Sequence, residues 1–206
     1  MYPITICMKD KKVSVIGGGK VAYFKIKSLL KEGATITVIS PKLDNNITLL
    51  VEKNEVQWLQ KEYERCDVAS SFLLIAATND KLVNERVAEE ADQNQLVNVV
   101  TDPERGNCHF PAAVHRGKLI LAVSSGGASP KLTKKVRDHL ATIYDESYEN
   151  YVDFLYDCRL KIKQYDDKEK RRQLLEEVLE DMYRIDATKR KQFYEKLTEY
   201  VEKKGD

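Results

Sequence analysis

Short β-branched apolar runs recur through the first 123 residues: KVSVIG from Lys12, ATITVIS from Ala34, FLLIAAT from Phe72, LVNVVT from Leu96 and KLILAVS from Lys118. Amphipathic stretches separate them at Val21–Leu30 and Lys81–Ala91, with a weaker one around Leu43–Val51. Runs so uniformly apolar read as strands covered on both faces, and strand–helix alternation predicts a parallel sheet. Val56–Leu59 reads as a further short strand. Thr78 or Asn79 is expected to cap the helix that follows FLLIAAT, with Asp80 suiting its positive end. Ser129 and Pro130 form a cap and a first helical residue farther on.

Beyond Pro130 the pattern changes. No strand-like run returns, glycine is absent until Gly205, and charged residues alternate with apolar ones at helical spacing. RRQLLEEVLEDMYRI from Arg171 and RKQFYEKLTEYVEKK from Arg190 are the clearest cases. A helical region from about residue 131 is expected, in which Tyr144, Tyr148, Tyr151 and Tyr156 serve as core or as a dimer face.

A chain of 206 residues has room for one full domain and a smaller appendage. Its net charge of +1 gives no global attraction to nucleic acid or to an acidic membrane. No stretch approaches the roughly 20 apolar residues of a membrane span. The N-terminal MYPITICMKDKK carries its charges after a short apolar run, the reverse of a secretory signal. A cytoplasmic protein with no nucleic-acid or membrane partner is expected. Cys7, Cys66, Cys108 and Cys158 form no Cys-x-x-Cys pair and read as reduced thiols. Cys108 beside His109 falls short of the four ligands a structural zinc site wants, so no metal centre is expected.

Gly17-x-Gly19-x-x-Ala22 lies between the first run and the first amphipathic stretch. In a dinucleotide-binding turn the first glycine permits the sharp bend and the second clears the approach of pyrophosphate. A small third residue lets the helix pack on the sheet, and free N–H groups at the helix start face the phosphates. The alternative is a tight turn in a non-binding α/β domain. The second run ends in Ser40-Pro41-Lys42, without the acid that usually holds the ribose 2′-OH. Ser40 suits a ribose and Lys42 suits a 2′-phosphate, so these residues leave NAD and NADP open. Two further run ends carry polar groups at the edge where open sheets bind ligands: Thr78-Asn79-Asp80, and Asn98 through Thr101-Asp102-Pro103.

In order along the chain, YPI, VIGGGKVAYFK, GATITVISP, IAATND with VNERV, VNVV, FPAAVHRGKLILAVSSGGASPKL and VR resemble the precorrin-2 dehydrogenases of sirohaem synthesis. The resemblance covers about residues 1–140 and is closest to the short stand-alone bacterial enzymes. It implies an α/β fold: a Rossmann-type NAD-binding domain over residues 1–112, a dimerisation and substrate segment over 113–146, and an all-helical C-terminal domain over 147–206. The implied activity is NAD-dependent oxidation of precorrin-2, a tetrapyrrole with eight carboxylates, to sirohydrochlorin by a homodimer. The implied cofactor contacts are Gly17, Gly19, Lys20 and Val21 at the turn, Ser40, Pro41 and Lys42 at the adenosine end, and Thr78 and Asn79 near the ribose or nicotinamide. Asn98, Ser124, Ser125, Gly126, Gly127 and Lys131 are implied substrate contacts, and Arg116, Lys118, Lys134 and Arg137 are close enough in sequence to add charge.

The family's catalytic aspartate directly follows NVV, where this chain has Thr101. Asp102, one residue later, is the candidate carboxylate, and Thr101 is a candidate hydrogen-bonding group. Three functions compete: a dehydrogenase alone; a bifunctional enzyme that also inserts ferrous iron, with Asp102, Cys108, His109 and His115 as the available metal-facing types; and a tetrapyrrole- or NAD-binding protein without catalysis.

Overall fold

The computed structural model describes residues 1–202; the last residues of the expected helical C-terminal domain, 203–206, lie outside the described residues. The chain divides into two compact units, Met1–Phe110 and a second beginning at Pro111.

The first unit is built on a parallel sheet of five strands: β1 Lys12–Ile16, β2 Thr35–Ile39, β3 Gln57–Leu59, β4 Leu73–Ala76 and β5 Leu96–Val99, in the order β3-β2-β1-β4-β5. Helix α1 Lys20–Lys31 connects β1 to β2, α2 Asn45–Glu52 connects β2 to β3, and α3 Lys81–Glu90 connects β4 to β5. Strand side chains alternate between faces, and both faces are apolar. Val13, Val15, Ile36, Val38, Leu73 and Ile75 pack with Ala22, Ile26 and Leu29 of α1 and Ile47 of α2. Ile16, Ile39, Leu74, Ala76, Val97 and Val99 pack with Val87 of α3 on the other face. This double coverage explains why the strand segments lack the polar alternation of a one-sided sheet.

The fifth apolar run is not part of this sheet. KLILAVS forms β7 Leu119–Val123, an antiparallel partner of β6 Ala112–Arg116, in the second unit. Of the hairpin's residues only Val114 is buried, so its alternate residues stay partly open where a central parallel strand would be closed. The short AAVHR segment, ending in His115 and Arg116, carries too weak an apolar pattern to announce itself as a strand. Helices α4 Pro130–Ile143, α5 Ser147–Ile162, α6 Lys168–Glu177, α7 Asp181–Ile185 and α8 Ala187–Glu202 follow. Ser129 caps α4 through the Leu132 N–H at 3.2 Å, with Pro130 as first helical residue. Tyr151, Phe154, Tyr183 and Phe193 form an aromatic centre with ring centroids 5.1–6.4 Å apart. Tyr144, Tyr148 and Tyr151 form a chain of ring contacts, whereas Tyr156, on another face of α5, is exposed beneath the Lys118 ammonium. The four cysteines are free, and burial pushes the Cys158 thiol up to about 12. No helix among the described residues is long and apolar enough to cross a membrane.

Strand β5 is a sheet edge, and Asn107 seals it. Its Oδ1 accepts the Val97 N–H at 2.7 Å and its Nδ2 donates to the Gln95 carbonyl at 2.9 Å. Its own N–H and that of Cys108 both donate to the Val97 carbonyl at 3.0 Å. One side chain thus imitates a neighbouring strand where an open edge would invite pairing. Replacing Asn107 by Ala strands two backbone groups and is expected to lower stability by about 1–3 kcal/mol. Urea unfolding should show a lower midpoint with an unchanged slope; an unchanged midpoint would contradict the role.

Candidate active site

The order of strands reverses between β1 and β4, so the loops leaving their carboxyl ends diverge and open a crevice. A cavity of about 640 Å³ occupies it, framed by Gly17–Gly19, Ser40–Asp44 and Ala77–Asp80, with Glu62, Tyr63 and Arg86 completing the wall. That volume lies within the range of about 300–1,000 Å³ usual for cofactor sites.

The glycine turn explains its own composition. Gly17 has φ +116°, and a Cβ there would lie 2.5 Å from the Ala77 carbonyl oxygen. A Cβ on Gly18 would lie 2.2 Å from the Lys42 carbonyl oxygen, whereas one on Gly19 would meet nothing within 4 Å. Two glycines therefore let the turn pass between neighbouring loops, and the third leaves space. Backbone bonds clamp the turn on both sides: Gly17 N–H to Ile39 O at 3.0 Å, Ala77 N–H to Ile16 O at 2.8 Å and Asp44 N–H to Gly18 O at 2.7 Å.

Asp44 caps α2 and Asp80 caps α3, but α1 begins at Gly19 without a side-chain cap. Among the described residues no acceptor takes the Gly18 or Gly19 N–H. Free donors and a positive helix end suit an anionic group, and Lys20 and Val21 stand exposed in the same first turn. Ala22 is fully buried and brings the helix close to the sheet. These residues fit the pyrophosphate of a dinucleotide.

At the other loops the geometry corrects several expectations. The cap of α3 is Asp80, through the Leu82 and Val83 N–H groups, and not Thr78 or Asn79. Ser40 lines the cavity, and its Oγ donates to the Lys42 carbonyl at 2.7 Å, which leaves the oxygen as an acceptor toward the cavity. Pro41 and Lys42 are exposed on the cavity wall. Asp44, absent from the sequence-based site, lines the cavity beside Gly18. The Asn46 backbone N–H, then its side-chain amide, hold the Asp44 carboxyl below its ordinary range. Arg86 and Tyr63 were also unforeseen: the guanidinium donates to the Tyr63 carbonyl at 2.6 Å and covers its ring. No local pattern joins residues 23 positions apart, although Asp44 has the cap-before-helix signature of its own segment.

Strand β5 ends at Val99 and does not run on through Thr101; its last ladder bond is Val100 N–H to Ala76 O. Pro103 confines Asp102 to extended backbone, and the Asp102 carboxylate caps the following 3₁₀ turn through the Glu104 N–H at 3.2 Å. Thr101 and Asp102 are both exposed at this edge, placed by the turn and not by strand alternation. Asn98 is buried, and its Nδ2 donates to the Cys108 carbonyl at 2.8 Å.

In the second unit the Ser124–Lys131 loop closes on itself. Ser124 Oγ accepts the Gly126 N–H, Ser125 Oγ accepts the Ser129 N–H, and Gly126 and Gly127 adopt positive φ. Lys118 is paired with Asp153 and Arg137 with Asp138, which removes part of the charge expected here; Lys131 and Lys134 have no ion pair among the described residues. Arg116 donates to the His115 and Ala141 carbonyls. Asp102, Cys108, His109 and His115 belong to no three-ligand group among the described residues. Glu64, Cys66 and Asp67 do converge, but the Lys61 ammonium lies on Glu64 at 2.8 Å and on Asp67 at 3.2 Å.

The three glycines should respond differently to Ala. Gly17→Ala should lose about 1–3 kcal/mol through backbone strain, and Gly18→Ala should also unfold more readily because its clash is with backbone. Gly19→Ala should cost at most about 1 kcal/mol in folding, yet weaken NADH binding by about tenfold or more, or ~1.4 kcal/mol. Thermal unfolding and NADH fluorescence titration separate the effects; full NADH affinity in Gly19→Ala would contradict the assignment.

Comparison with known proteins gives a consistent picture. Residues 4–112 match an NAD(P)-binding family, residues 116–142 the family described as sirohaem biosynthesis protein central, and residues 148–193 the SirC C-terminal domain. The precorrin-2 dehydrogenase of Priestia megaterium is 37% identical over 201 residues, 97% of this chain and 100% of that protein. That of Bacillus subtilis is 37% identical over 161 residues, 78% of this chain and 99% of that protein. The solved structure of SirC, a precorrin-2 dehydrogenase, superposes with a TM-score of 0.84 at 37% identity, covering 97% of this chain and 100% of that one. With a Rossmann-type sheet, an open glycine turn and a match along nearly its whole length, the chain belongs to the precorrin-2 dehydrogenase family.

Proposed function

We propose that the protein oxidises precorrin-2 to sirohydrochlorin in the cytoplasm, as a step of sirohaem biosynthesis, with NAD as the hydride acceptor. The observation that carries this reading is the match to the Priestia megaterium enzyme, which spans 97% of this chain and leaves none of that protein uncovered. Two hydrogens leave the substrate, one as hydride and one as a proton. The nicotinamide supplies the hydride acceptor when bound.

Asp102 is the proposed proton acceptor. Its carboxylate stands half-exposed at the carboxyl edge of β5, held by the Glu104 N–H and 4.0 Å from the Arg105 guanidinium. Thr101 hydrogen-bonds the substrate. The Ser124 hydroxyl, the Gly127 N–H and the Lys131 ammonium are offered to its carboxylates, while Ser125 and Gly126, whose protons bond within the loop, hold its shape. NAD is favoured over NADP by Asp44, a residue of the cavity wall next to the turn whose carboxyl is held below its ordinary range by Asn46. An acid there accepts from a ribose hydroxyl and repels a 2′-phosphate.

Residues 1–112, 113–146 and 147–206 take the cofactor, pairing and accessory roles. Pairing is supported by α4, none of whose residues is buried and whose Leu132, Val136 and Ile143 are 54%, 37% and 51% exposed along one stripe. An apolar stripe of this kind marks an association surface.

Purified protein given precorrin-2 and NAD without oxygen should form NADH and sirohydrochlorin together, and NADP should support the reaction much less well; absence of turnover would refute the reading. Asp102→Ala should lower the rate by about 10²–10⁴-fold and Thr101→Ala far less. Equal, near-wild-type rates for the two would move the base elsewhere. A Leu132→Glu/Val136→Glu double variant should sediment as a monomer while the wild type sediments as a dimer.

A further inference from the structure

Asn84 lies on α3 with 1% of its surface exposed, yet it is not part of the cavity wall. Its Oδ1 accepts the Thr78 backbone N–H at 3.1 Å and lies 2.8 Å from the Thr78 hydroxyl, whose single proton it shares with the Asp80 carbonyl, also at 2.8 Å. Its Nδ2 donates to the Thr78 carbonyl and to Thr101 Oγ1, both at 3.1 Å. Both amide N–H groups and the oxygen of this buried side chain therefore have partners.

The bonds to Thr78 fix which way the amide faces. Turned over, its NH₂ would meet the Thr78 N–H and its oxygen would meet the Thr78 carbonyl. Nδ2 therefore points at Thr101, and the Thr101 oxygen is an acceptor in this contact. A hydroxyl has one proton, and no acceptor among the described residues takes that of Thr101. Thr78 lines the cofactor cavity; Thr101 does not. One buried amide thus joins the loop beside the cofactor to the exposed edge of β5.

We propose that Asn84 is a positioning residue that couples the Thr78 loop to Thr101 and holds the Thr101 hydroxyl as a hydrogen-bond donor, aimed at a carboxylate of the substrate. The identity of that carboxylate rests on the tetrapyrrole reading above; the coupling does not. Groups in one hydrogen-bond network show non-additive substitutions, whereas independent groups add.

The test uses Asn84→Ala, Thr101→Val and the double variant as full-length protein, each well below its own Tm. Asn84→Ala should weaken NADH binding about three- to tenfold, within the range of network couplings; wild-type NADH affinity with only a lower Tm would overturn the positioning role. With precorrin-2, Thr101→Val should raise KM about tenfold with little change in kcat, the mark of lost binding. Asn84→Ala should raise KM similarly, and the double variant should exceed the worse single variant by less than about twofold. Multiplying effects would overturn the coupling. Thr101→Ser should recover the KM lost in Thr101→Val, and this arm stands even where Asn84→Ala does not fold; no recovery would overturn the donor role. If the wild type failed to oxidise precorrin-2, the substrate reading would fall, while a loss of NADH affinity in Asn84→Ala that Thr101→Val does not add to in the double variant would leave the coupling standing.

Discussion

The site depends on one steric constraint, the passage of the β1–α1 turn between two other backbones. At Gly17 the Ala77 carbonyl is too close for a side chain, and at Gly18 the Lys42 carbonyl is too close. Hydrogen bonds from Gly17 to β2, from Ala77 to β1 and from Asp44 to Gly18 draw the three loops together. The first turn of α1 is thereby held at the mouth of the cavity with its N–H groups unshared. A looser turn with side chains would separate the loops and lose both the clamp and the opening over Gly19.

From that constraint the division of labour among helix starts follows. α2 and α3 begin at the same edge of the sheet, and each has an aspartate satisfying its first N–H groups. α1 has none, so its unsatisfied donors remain for a ligand. The capping residues have second uses. Asp44 also lies on the cavity wall, and Asp80 holds the loop that carries Thr78. Asn84 extends the same ordering to Thr101, so that the Thr78 loop and the end of β5 are joined by hydrogen bonds from one side chain of α3.

Much of the architecture was legible in the sequence because burial on both faces leaves a strong apolar signal. Strands β1, β2, β4 and β5 follow from it, whereas the helices follow from helical spacing and β3, with Gln57 and Leu59 exposed, is the weakest of the five. The Ser129-Pro130 start of α4 was equally plain, since a cap and a proline act within one turn. The β6–β7 hairpin was misread because KLILAVS is as apolar as a central strand, and its partner AAVHR is not. At the site, the glycines and the strand-end loops were readable from spacing. Asp44, Tyr63, Arg86 and the Asn84 network were not, because they depend on how distant loops meet. At Ser40 the residue type pointed to the cavity wall, but not to the bond from its hydroxyl to the Lys42 carbonyl, which leaves only its oxygen to meet a ligand.

The account stands most directly on the unshared N–H groups at the start of α1. Amide NMR of the full chain titrated with NADH reads them one by one. The Gly18 and Gly19 N–H resonances should shift saturably and exchange more slowly with solvent, while that of Gly17, already bonded to Ile39, keeps its protection. Saturable NADH binding that leaves the Gly18 and Gly19 resonances unmoved would contradict the central claim that this turn cradles the cofactor.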